Sequence, residues 1–235
     1  MAQKASRPAS LRVSRPVGRR VRPADSDARG RLLDAAITLF AERGIANTTV
    51  AQIGAAGQVT SAMVHYWFDT RERLLDAIVD ERLAPLFHYI WDSVDAERGA
   101  PIELVERIVG RMFEVTGKSP WLPSLWVREI VNEGGLLRER ALRRIPPRVL
   151  AFAQALARGK RRGVLNADIE PALVFISILA LVMLPQAAAK IWERVHPTLK
   201  FERAGLERHV HALLMTGLVG TALGRSTASS KRSKR

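Results

Sequence analysis

Apolar residues recur at helical spacing upstream of Gly44 and again beyond Pro85, where no segment shows the sustained alternation of a β-strand. The upstream pattern consists of Leu32, Leu33, Ala36, Ile37, Leu39 and Phe40. Asp25, Ser26 and Asp27 precede it as candidate N-caps. Gly44 follows it as a stop signal. The pattern therefore predicts an all-α chain in which the first long helix ends near Gly44.

The next segment predicts a short helix. Thr49 and Gln52 have the three-residue spacing of a capping box, in which each side chain bonds the backbone N–H of the other residue. The apolar face of the helix that follows consists of Val50, Ile53 and Ala56. Gly57 interrupts this helix, and we expect it to supply a left-handed turn because glycine adopts a positive φ without steric cost.

A second short helix follows the glycine. Thr60 and Ser61 are suitable N-caps for it. Val64 and Phe68 have the i, i+4 spacing of its buried side. The outer face then consists of Ser61, Ala62, His65 and Tyr66. Two short helices around a glycine turn form a helix-turn-helix, whose second helix lies in the major groove of DNA. The segment thus predicts a DNA-binding motif.

A further helix is predicted to begin near Arg71, with Asp69 or Thr70 as its N-cap. Its apolar positions are Leu74, Leu75, Ile78 and Val79. These positions lead the helix into the body of the protein. Because the N-terminus of a helix attracts anions, Arg71 beside it is a candidate phosphate contact.

The order and spacing of these elements resemble the amino-terminal domain of the TetR family of transcriptional regulators. The resemblance covers Arg29 to Val79, about a fifth of the chain. The matching elements are L-x-A-A-x-x-L-F-A-E-x-G, T-T-V, an isoleucine, A-G-x-V-T, an aromatic run that ends at Phe68, and R-E-x-L-L. The resemblance implies an all-helical homodimer with a three-helix DNA-binding domain. It also implies a divergent helical body, in which a small molecule binds and releases the operator, and repression is the commoner role in the family.

The resemblance also assigns candidate DNA contacts. On the second helix it implies contacts to phosphate or base by Thr48, Thr49 and Gln52. On the third helix it implies contacts within the segment from Thr60 to Tyr66, where the candidates are Thr60, Ser61, Ala62, His65 and Tyr66. Arg71 matches the usual lysine at the start of the fourth helix.

Two of these positions depart from the family pattern. The family often has a tyrosine that contacts phosphate where this chain has His65, and Tyr66 beside it is the alternative contact. Arg71 in place of lysine keeps the positive charge but changes a point donor into a planar fork of donors.

The chain divides into four predicted parts. These are a basic arm (1–24), a helix-turn-helix DNA-binding domain (25–84), a helical effector-binding and dimerisation domain (85–223) and a basic tail (224–235). The formal net charge is +14, and the two basic ends account for all but +2 of it. Both ends are rich in charge, Ser, Pro and Gly, so we expect disorder there. The ends either keep the protein soluble or contact DNA phosphates.

Glycine and proline predict the breaks between about six helices in the body. The breaks fall at 99–101, 117–123, 134–135, 146–147, 163–168 and 197–205. The residues from 171 to 191 are the most apolar in the chain, yet the uninterrupted apolar run, 172–184, is shorter than the roughly 20 residues that a bilayer requires. Pro185 also disturbs the helix. We therefore expect no membrane span, and burial of this helix inside protein.

The family resemblance places the dimer contact in the last two long helices, at about 168–196 and 201–223, which form a four-helix bundle in TetR-like proteins. The apolar pattern of the first of these helices agrees with such an interface. We therefore predict a two-fold homodimer that binds a near-palindromic DNA operator.

Large apolar side chains of the middle helices either line an effector pocket or form plain core, since both environments use the same residues. Polar residues beside Trp126, among them Glu129, either orient a ligand or form surface ion pairs. The candidate site for a small apolar or aromatic effector consists of Trp91, Phe113, Trp121, Trp126, Glu129, Phe152 and Phe175.

Other classes of protein fit the sequence less well. The five histidines have no recognised metal spacing, and no nucleophile elbow, phosphate loop or paired-carboxylate signature stands out. We therefore predict no enzyme activity, no metal and no cofactor. The absence of cysteine and of an apolar signal core favours a cytoplasmic protein. The remaining alternative is a protein that coats DNA regardless of sequence by means of its basic arms.

Overall fold

All the regular structure that the computed structural model describes is helical. The described residues are 23–92, 99–144, 148–198 and 200–219. The all-α expectation is confirmed for this part of the chain. The predicted basic tail, and residues 1–22 of the predicted basic arm, lie outside the described residues, so their roles stay predictions.

Four helices form the amino-terminal part: α1 (Pro23–Arg43), α2 (Val50–Ala56), α3 (Ser61–Phe68) and α4 (Arg71–Ile78). α1 ends where the sequence predicts, because Gly44 adopts a φ of +85° and its N–H donates to the Phe40 carbonyl at 2.9 Å. The apolar face of α1 is buried, and α1 packs against α2 and α4. This helix is therefore the hydrophobic support of the helix-turn-helix.

The predicted caps of α2, α3 and α4 are confirmed, whereas the N-cap candidates Asp25, Ser26 and Asp27 lie inside α1, which already begins at Pro23. The Thr49 N–H donates to the Gln52 side chain at 2.8 Å, and the Gln52 N–H donates to the Thr49 hydroxyl at 3.2 Å, which completes the capping box. Thr60 caps α3, and Thr70 caps α4 in the same way. Each cap satisfies a backbone N–H that has no partner within its own helix.

The turn between α2 and α3 corrects the expectation for Gly57. Gly57 has a φ of −81°, and the positive φ of the turn belongs instead to Gln58, at +59°. The reason for glycine is close packing, because a Cβ at position 57 would lie 2.6 Å from Cδ2 of Leu32 on α1. The glycine therefore allows the end of α2 to approach α1.

α4 runs without a break into the body of the protein. It continues as a π-helix, π1 (Val79–Leu83), and then as α5 (Ala84–Trp91). The predicted domain boundary between residues 84 and 85 falls inside this continuous helical segment. The two predicted domains are thus connected by a helix and not by an extended linker.

The rest of the described chain forms a helical body. Its elements are α6 (Pro101–Lys118), α7 (Leu122–Trp126), π2 (Val127–Val131), α8 (Arg138–Leu142), α9 (Arg148–Arg161), α10 (Pro171–Ala187), α11 (Ala189–Val195) and α12 (Arg203–Val219). α6 packs against α5, α9, α10 and α12, and α10 packs against α6, α7, α9 and α12. α7 packs against α1 and so joins the body to the amino-terminal helices. The described body contains more helices than the six predicted.

The segment predicted as one helix at 168–196 is two helices. α10 continues through Pro185 and ends at Ala187, and α11 then begins at a bend of 61°. No single helix among the described residues is long and apolar enough to cross a membrane. α10 and α11 reach the necessary length and composition only together, as a bent pair.

The expectation that this apolar segment is covered on every side is not met within one chain. Val174, Ile178 and Val182 of α10 are buried against the body. On the same helix Leu173 is 57% exposed and Leu184 is 53% exposed. α10 therefore presents an apolar face to its surroundings.

The turn after π2 brings two backbone segments unusually close together. The Leu137 N–H donates to the Glu129 carbonyl at 3.2 Å, and the Gly135 N–H donates to the Asn132 carbonyl at 2.9 Å. A Cβ at position 135 would clash with the carbonyl group of Glu129, whereas a Cβ at Gly134 would meet no atom within 4 Å. Position 135 consequently requires glycine for its lack of a side chain.

We predict that Gly135→Ala lowers the free energy of unfolding by about 1–3 kcal/mol, because the new methyl group forces the turn away from π2. Gly134→Ala is the matched control and should leave the urea midpoint nearly unchanged. Urea unfolding curves of both variants and the wild type would measure the difference. Equal midpoints for the two variants would show that this close approach does not constrain the fold.

Candidate nucleic-acid interface and effector cavity

α3 presents the face that the sequence predicts for a recognition helix. Val64 and Phe68 are buried, while Ser61, Ala62 and His65 are exposed. Tyr66 is 68% exposed, the largest exposure among the exposed large hydrophobic residues of the described chain. The small side chains at the start of α3 allow the helix to approach the base edges closely.

Local contacts orient the aromatic side chains of α3. Tyr66 meets Trp67 edge to face with ring centroids 6.0 Å apart. Nδ1 of His65 lies 3.3 Å from the carbonyl oxygen of Asp69, the residue that ends the helix with a φ of +58°. Both exposed rings thus remain available to a ligand on their outer sides.

The prediction for Thr48 needs correction. Thr48 is 1% exposed, and its hydroxyl donates to the Gly44 carbonyl at 2.8 Å. A buried side chain of this kind stabilises the turn between α1 and α2 and does not meet a phosphate. Thr49 and Gln52 remain exposed at the start of α2, although their side chains also form the capping box.

Arg71 has a structural contact that the sequence does not reveal. It is partly buried, and its Nη2 donates to the carbonyl of Ile45 in the turn between α1 and α2. This contact fixes the start of α4 against that turn. A guanidinium has five N–H donors, so the contact with Ile45 still leaves donors for a phosphate.

A second arginine connects α1, α3 and π1. Arg29 on α1 donates to both carboxylate oxygens of Glu81 on π1, at 2.5 and 2.6 Å, and its guanidinium lies 5.1 Å from the ring centroid of Phe68 on α3. The hydrogen bonds from Arg29 hold the pKa of Glu81 below its ordinary value. The same pair raises the pKa of Arg29. These contacts support the recognition helix from behind.

The body contains a small, almost wholly apolar cavity of about 80 Å³. It lies between α5, α6, α7, π2, α8, α9 and α10. Its lining consists of Leu86, Phe87, Ile90, Trp91, Met112, Leu122, Trp126, Ile130, Ala141, Val149, Phe175, Leu179 and Met183. Ligand pockets typically enclose about 300–1,000 Å³, so this cavity is smaller than a typical pocket.

Three of the predicted ligand residues line this cavity, namely Trp91, Trp126 and Phe175. Phe113, Trp121 and Phe152 do not line it; Phe113 and Phe152 are buried in the hydrophobic core. Phe152 instead supports the wall, since its ring centroid lies 5.8 Å from that of Trp91. The aliphatic lining residues had no sequence signal that separates a cavity wall from ordinary core.

Glu129 also lies elsewhere than the sequence predicts. It is 5% exposed, and its Oε1 accepts from the Ile45 N–H at 2.8 Å. Its other carboxylate oxygen accepts from the Leu136 N–H at 3.2 Å. The carboxylate therefore bonds two backbone groups and is not part of the cavity lining.

Two family models match the regions in which these features lie. A model described as bacterial regulatory proteins of the tetR family matches residues 32–78. A model described as the tetracyclin repressor-like C-terminal domain matches residues 101–215. The two matches together cover more than half of the chain, and the chain belongs to the TetR family.

Curated relatives match part of the chain. The HTH-type transcriptional repressor Rv3405c of Mycobacterium tuberculosis is 31% identical over 117 residues, which are 48% of this chain and 54% of the relative. The HTH-type transcriptional repressor KstR2 of Rhodococcus jostii is 44% identical over 62 residues, which are 26% of this chain and 30% of the relative. The chain thus spans about half the length of the first relative and less of the second.

Solved structures of the same fold match over a longer range. The ketosteroid transcriptional regulator KstR2 of Mycobacterium tuberculosis superposes with a TM-score of 0.64 at 21% identity, over 82% of this chain and 95% of that chain. HlyIIR, a hemolysin II transcriptional regulator, superposes with a TM-score of 0.60 at 18% identity, over 84% of this chain and 99% of that chain. These similarities show that the fold is a helix-turn-helix domain followed by a helical body.

Proposed function

We propose that the protein is a dimeric transcriptional regulator, and specifically a repressor, that binds a near-palindromic DNA operator and leaves it when a small apolar molecule binds the body. The observation that carries the proposal is the exposed, capped recognition helix α3 inside a TetR-type amino-terminal domain. Relatives that are HTH-type transcriptional repressors support repression as the direction of the regulation.

The proposed DNA contact uses the residues that remain exposed around α3. They are Thr49, Gln52, Thr60, Ser61, Ala62, His65 and Tyr66, with Arg71 at the start of α4. Base edges would meet Ser61, Ala62 and His65, because the first turns of the second helix enter the groove in this motif. Tyr66 and Arg71 would bind phosphate and so position the helix without reading sequence.

Selection from random duplexes tests this proposal. The full-length chain should enrich a near-palindromic sequence and bind it roughly a thousandfold or more tightly than random duplex. Tyr66→Ala should weaken that binding by about tenfold or more, because an exposed contact is lost while the core is untouched. Fluorescence anisotropy with a labelled duplex measures both effects.

The matched control removes an exposed apolar side chain of the body. Leu150 is 65% exposed on α9, so Leu150→Ala should leave DNA affinity unchanged. Equal affinity for the selected duplex and for random duplex would refute the specific regulator and favour the DNA-coating alternative.

The proposed dimer interface consists of the apolar faces of α10 and α12. Leu173 and Ile176 of α10 are 57% and 50% exposed, and Leu213 of α12 is 49% exposed. The two helices pack against each other, and a groove of about 330 Å³ lies between them. Contiguous exposed apolar surface of this kind is typical of subunit contacts. α11 extends the surface, since Ile191 is 67% exposed.

We predict that Leu173→Glu converts the dimer into a monomer, because a carboxylate would lose its hydration in an apolar contact. The dissociation constant of the dimer should rise by at least about a hundredfold. Leu150→Glu places the same charge on an exposed position outside this interface and should leave the dimer intact. Analytical ultracentrifugation at micromolar concentration measures the change, and a monomeric wild type would contradict the proposal.

The proposed effector site is the apolar cavity. Since none of the described residues that line it is charged, the cavity favours a ligand that binds by apolar contact and shape. A ligand larger than about 80 Å³ would displace part of the wall. The ligand would then bind the conformation with the displaced wall more tightly than the conformation without it. Such a difference in affinity is required of any ligand that shifts a conformational equilibrium.

Filling the cavity by mutation tests the effector site. Ala141 is 2% exposed and lines the cavity, so Ala141→Leu places three further carbon atoms where the ligand would bind. An apolar compound that releases wild-type protein from the selected duplex should need at least about tenfold higher concentration for this variant. Ala167→Leu, at an exposed alanine, is the control. Equal release of all three proteins would exclude the cavity as the effector site.

A further inference from the structure

The carboxylate of Glu129 forms a direct hydrogen-bonded link between the body and the turn that precedes the helix-turn-helix. Glu129 lies on π2, and Ile45 lies 84 positions earlier in the turn between α1 and α2. The bond to the Ile45 N–H is 2.8 Å long and buried. A bond to a buried carboxylate is charge-assisted and is among the stronger hydrogen bonds of proteins.

The same peptide segment is held from the side of the proposed DNA interface. The carbonyl of Ile45 accepts from Nη2 of Arg71, which is the first residue of α4. The side chain of Ile45 is fully buried. Ile45 therefore lies between a side chain of the body and a side chain that we assign to phosphate binding. A displacement of Ile45 would change the position of Arg71.

The element that carries Glu129 is also a wall of the cavity. Trp126, at the end of α7, and Ile130, on π2, both line the cavity on either side of Glu129 in sequence. Because Glu129 and Ile130 are adjacent, the backbone of Glu129 follows any shift of Ile130. π-helical turns occur frequently at functional sites and interrupt regular helix geometry.

We propose that Glu129 couples the effector cavity to the DNA-binding domain through Ile45, as a positioning residue that contacts neither DNA nor effector. The proposal rests on the function proposed above and specifies its regulation. When π2 moves outward, the carboxylate leaves the Ile45 N–H and the turn between α1 and α2 is released. A ligand in the cavity would bind one of these two states, bonded or released, more tightly than the other.

Hydrogen exchange on the full-length chain, without DNA and without ligand, tests the link between Glu129 and Ile45. Glu129→Leu removes both acceptors at similar side-chain size, and the Ile45 amide should exchange at least about tenfold faster, because a charge-assisted bond is lost. Glu133→Leu is the matched control at an exposed glutamate of the same segment. If Glu129→Leu does not fold, Glu129→Gln keeps one acceptor, and the Ile45 and Leu136 amides together should still lose protection.

Truncation of two walls of the cavity tests the link between the cavity and Glu129. Ile130→Ala loosens the wall on π2, and Leu179→Ala loosens the wall on α10. Both side chains are partly buried in the wild type. Ile130→Ala should accelerate exchange of the Ile45 amide by about fivefold or more beyond its effect on global stability. Leu179→Ala should not. In a Glu129→Leu background, Ile130→Ala should add nothing at Ile45, because the link is already broken.

Operator binding separates this proposal from the proposed function. Glu129→Leu should bind the selected duplex at least about fivefold more weakly than Glu133→Leu. Unchanged Ile45 exchange in Glu129→Leu, or equal acceleration by the two wall truncations, would overturn the coupling even if the wild type binds its operator. A wild type that selects no operator would overturn the repressor function, while the exchange results would still decide whether Glu129 links the two parts.

Discussion

The helix-turn-helix depends on the burial of one face of α1. α2 has 7 residues and α3 has 8, and isolated helices of this length are marginal in water. Their apolar residues, including Ile53, Val64 and Phe68, belong to the same buried cluster as Phe40 of α1. Because tertiary burial supplies the stability, the outer face of α3 needs no packing partner within the subunit and is available for DNA.

α1 also lies between the two parts of the chain. It packs against α2 and α4 on the side of the proposed DNA interface and against α7 on the side of the body. The turn at its end donates a hydrogen bond to Glu129 on the body side and accepts one from Arg71 on the other side. The structural support of the recognition helix and the proposed path of regulation thus meet at the same end of one helix.

The amino-terminal architecture could be predicted from sequence because its determinants are local. The caps at Thr49, Thr60 and Thr70 follow from residue types a few positions apart, and so does the end of α1 at Gly44. Where contacts distant in sequence decide, the predictions were wrong. Gly57 is glycine because of Leu32 on α1, and this contact cannot be deduced from the turn alone.

The candidate cavity was predictable only in outline, for a similar reason. Aromatic residues mark a large apolar volume, but long-range packing decides which of them line a cavity and which, like Phe113, form solid core. Glu129 was assigned to the ligand because α-helical spacing placed it near Trp126. The contact that decides its place is again distant in sequence, because its carboxylate accepts from the Ile45 N–H 84 positions earlier.

The environment of Glu129 also bears on how this chain can diverge over evolutionary time. A Cβ at Gly44 would lie 3.3 Å from the Glu129 carboxylate, and a Cβ at Gly135 would clash with the Glu129 backbone. Positions 44, 129 and 135 therefore form one steric unit, although position 44 is distant in sequence from the other two. The backbone of residue 129 excludes a side chain at 135 whichever residue stands at 129, whereas both the acid and the Arg128 side chain limit what could replace Gly44 in addition to its left-handed backbone.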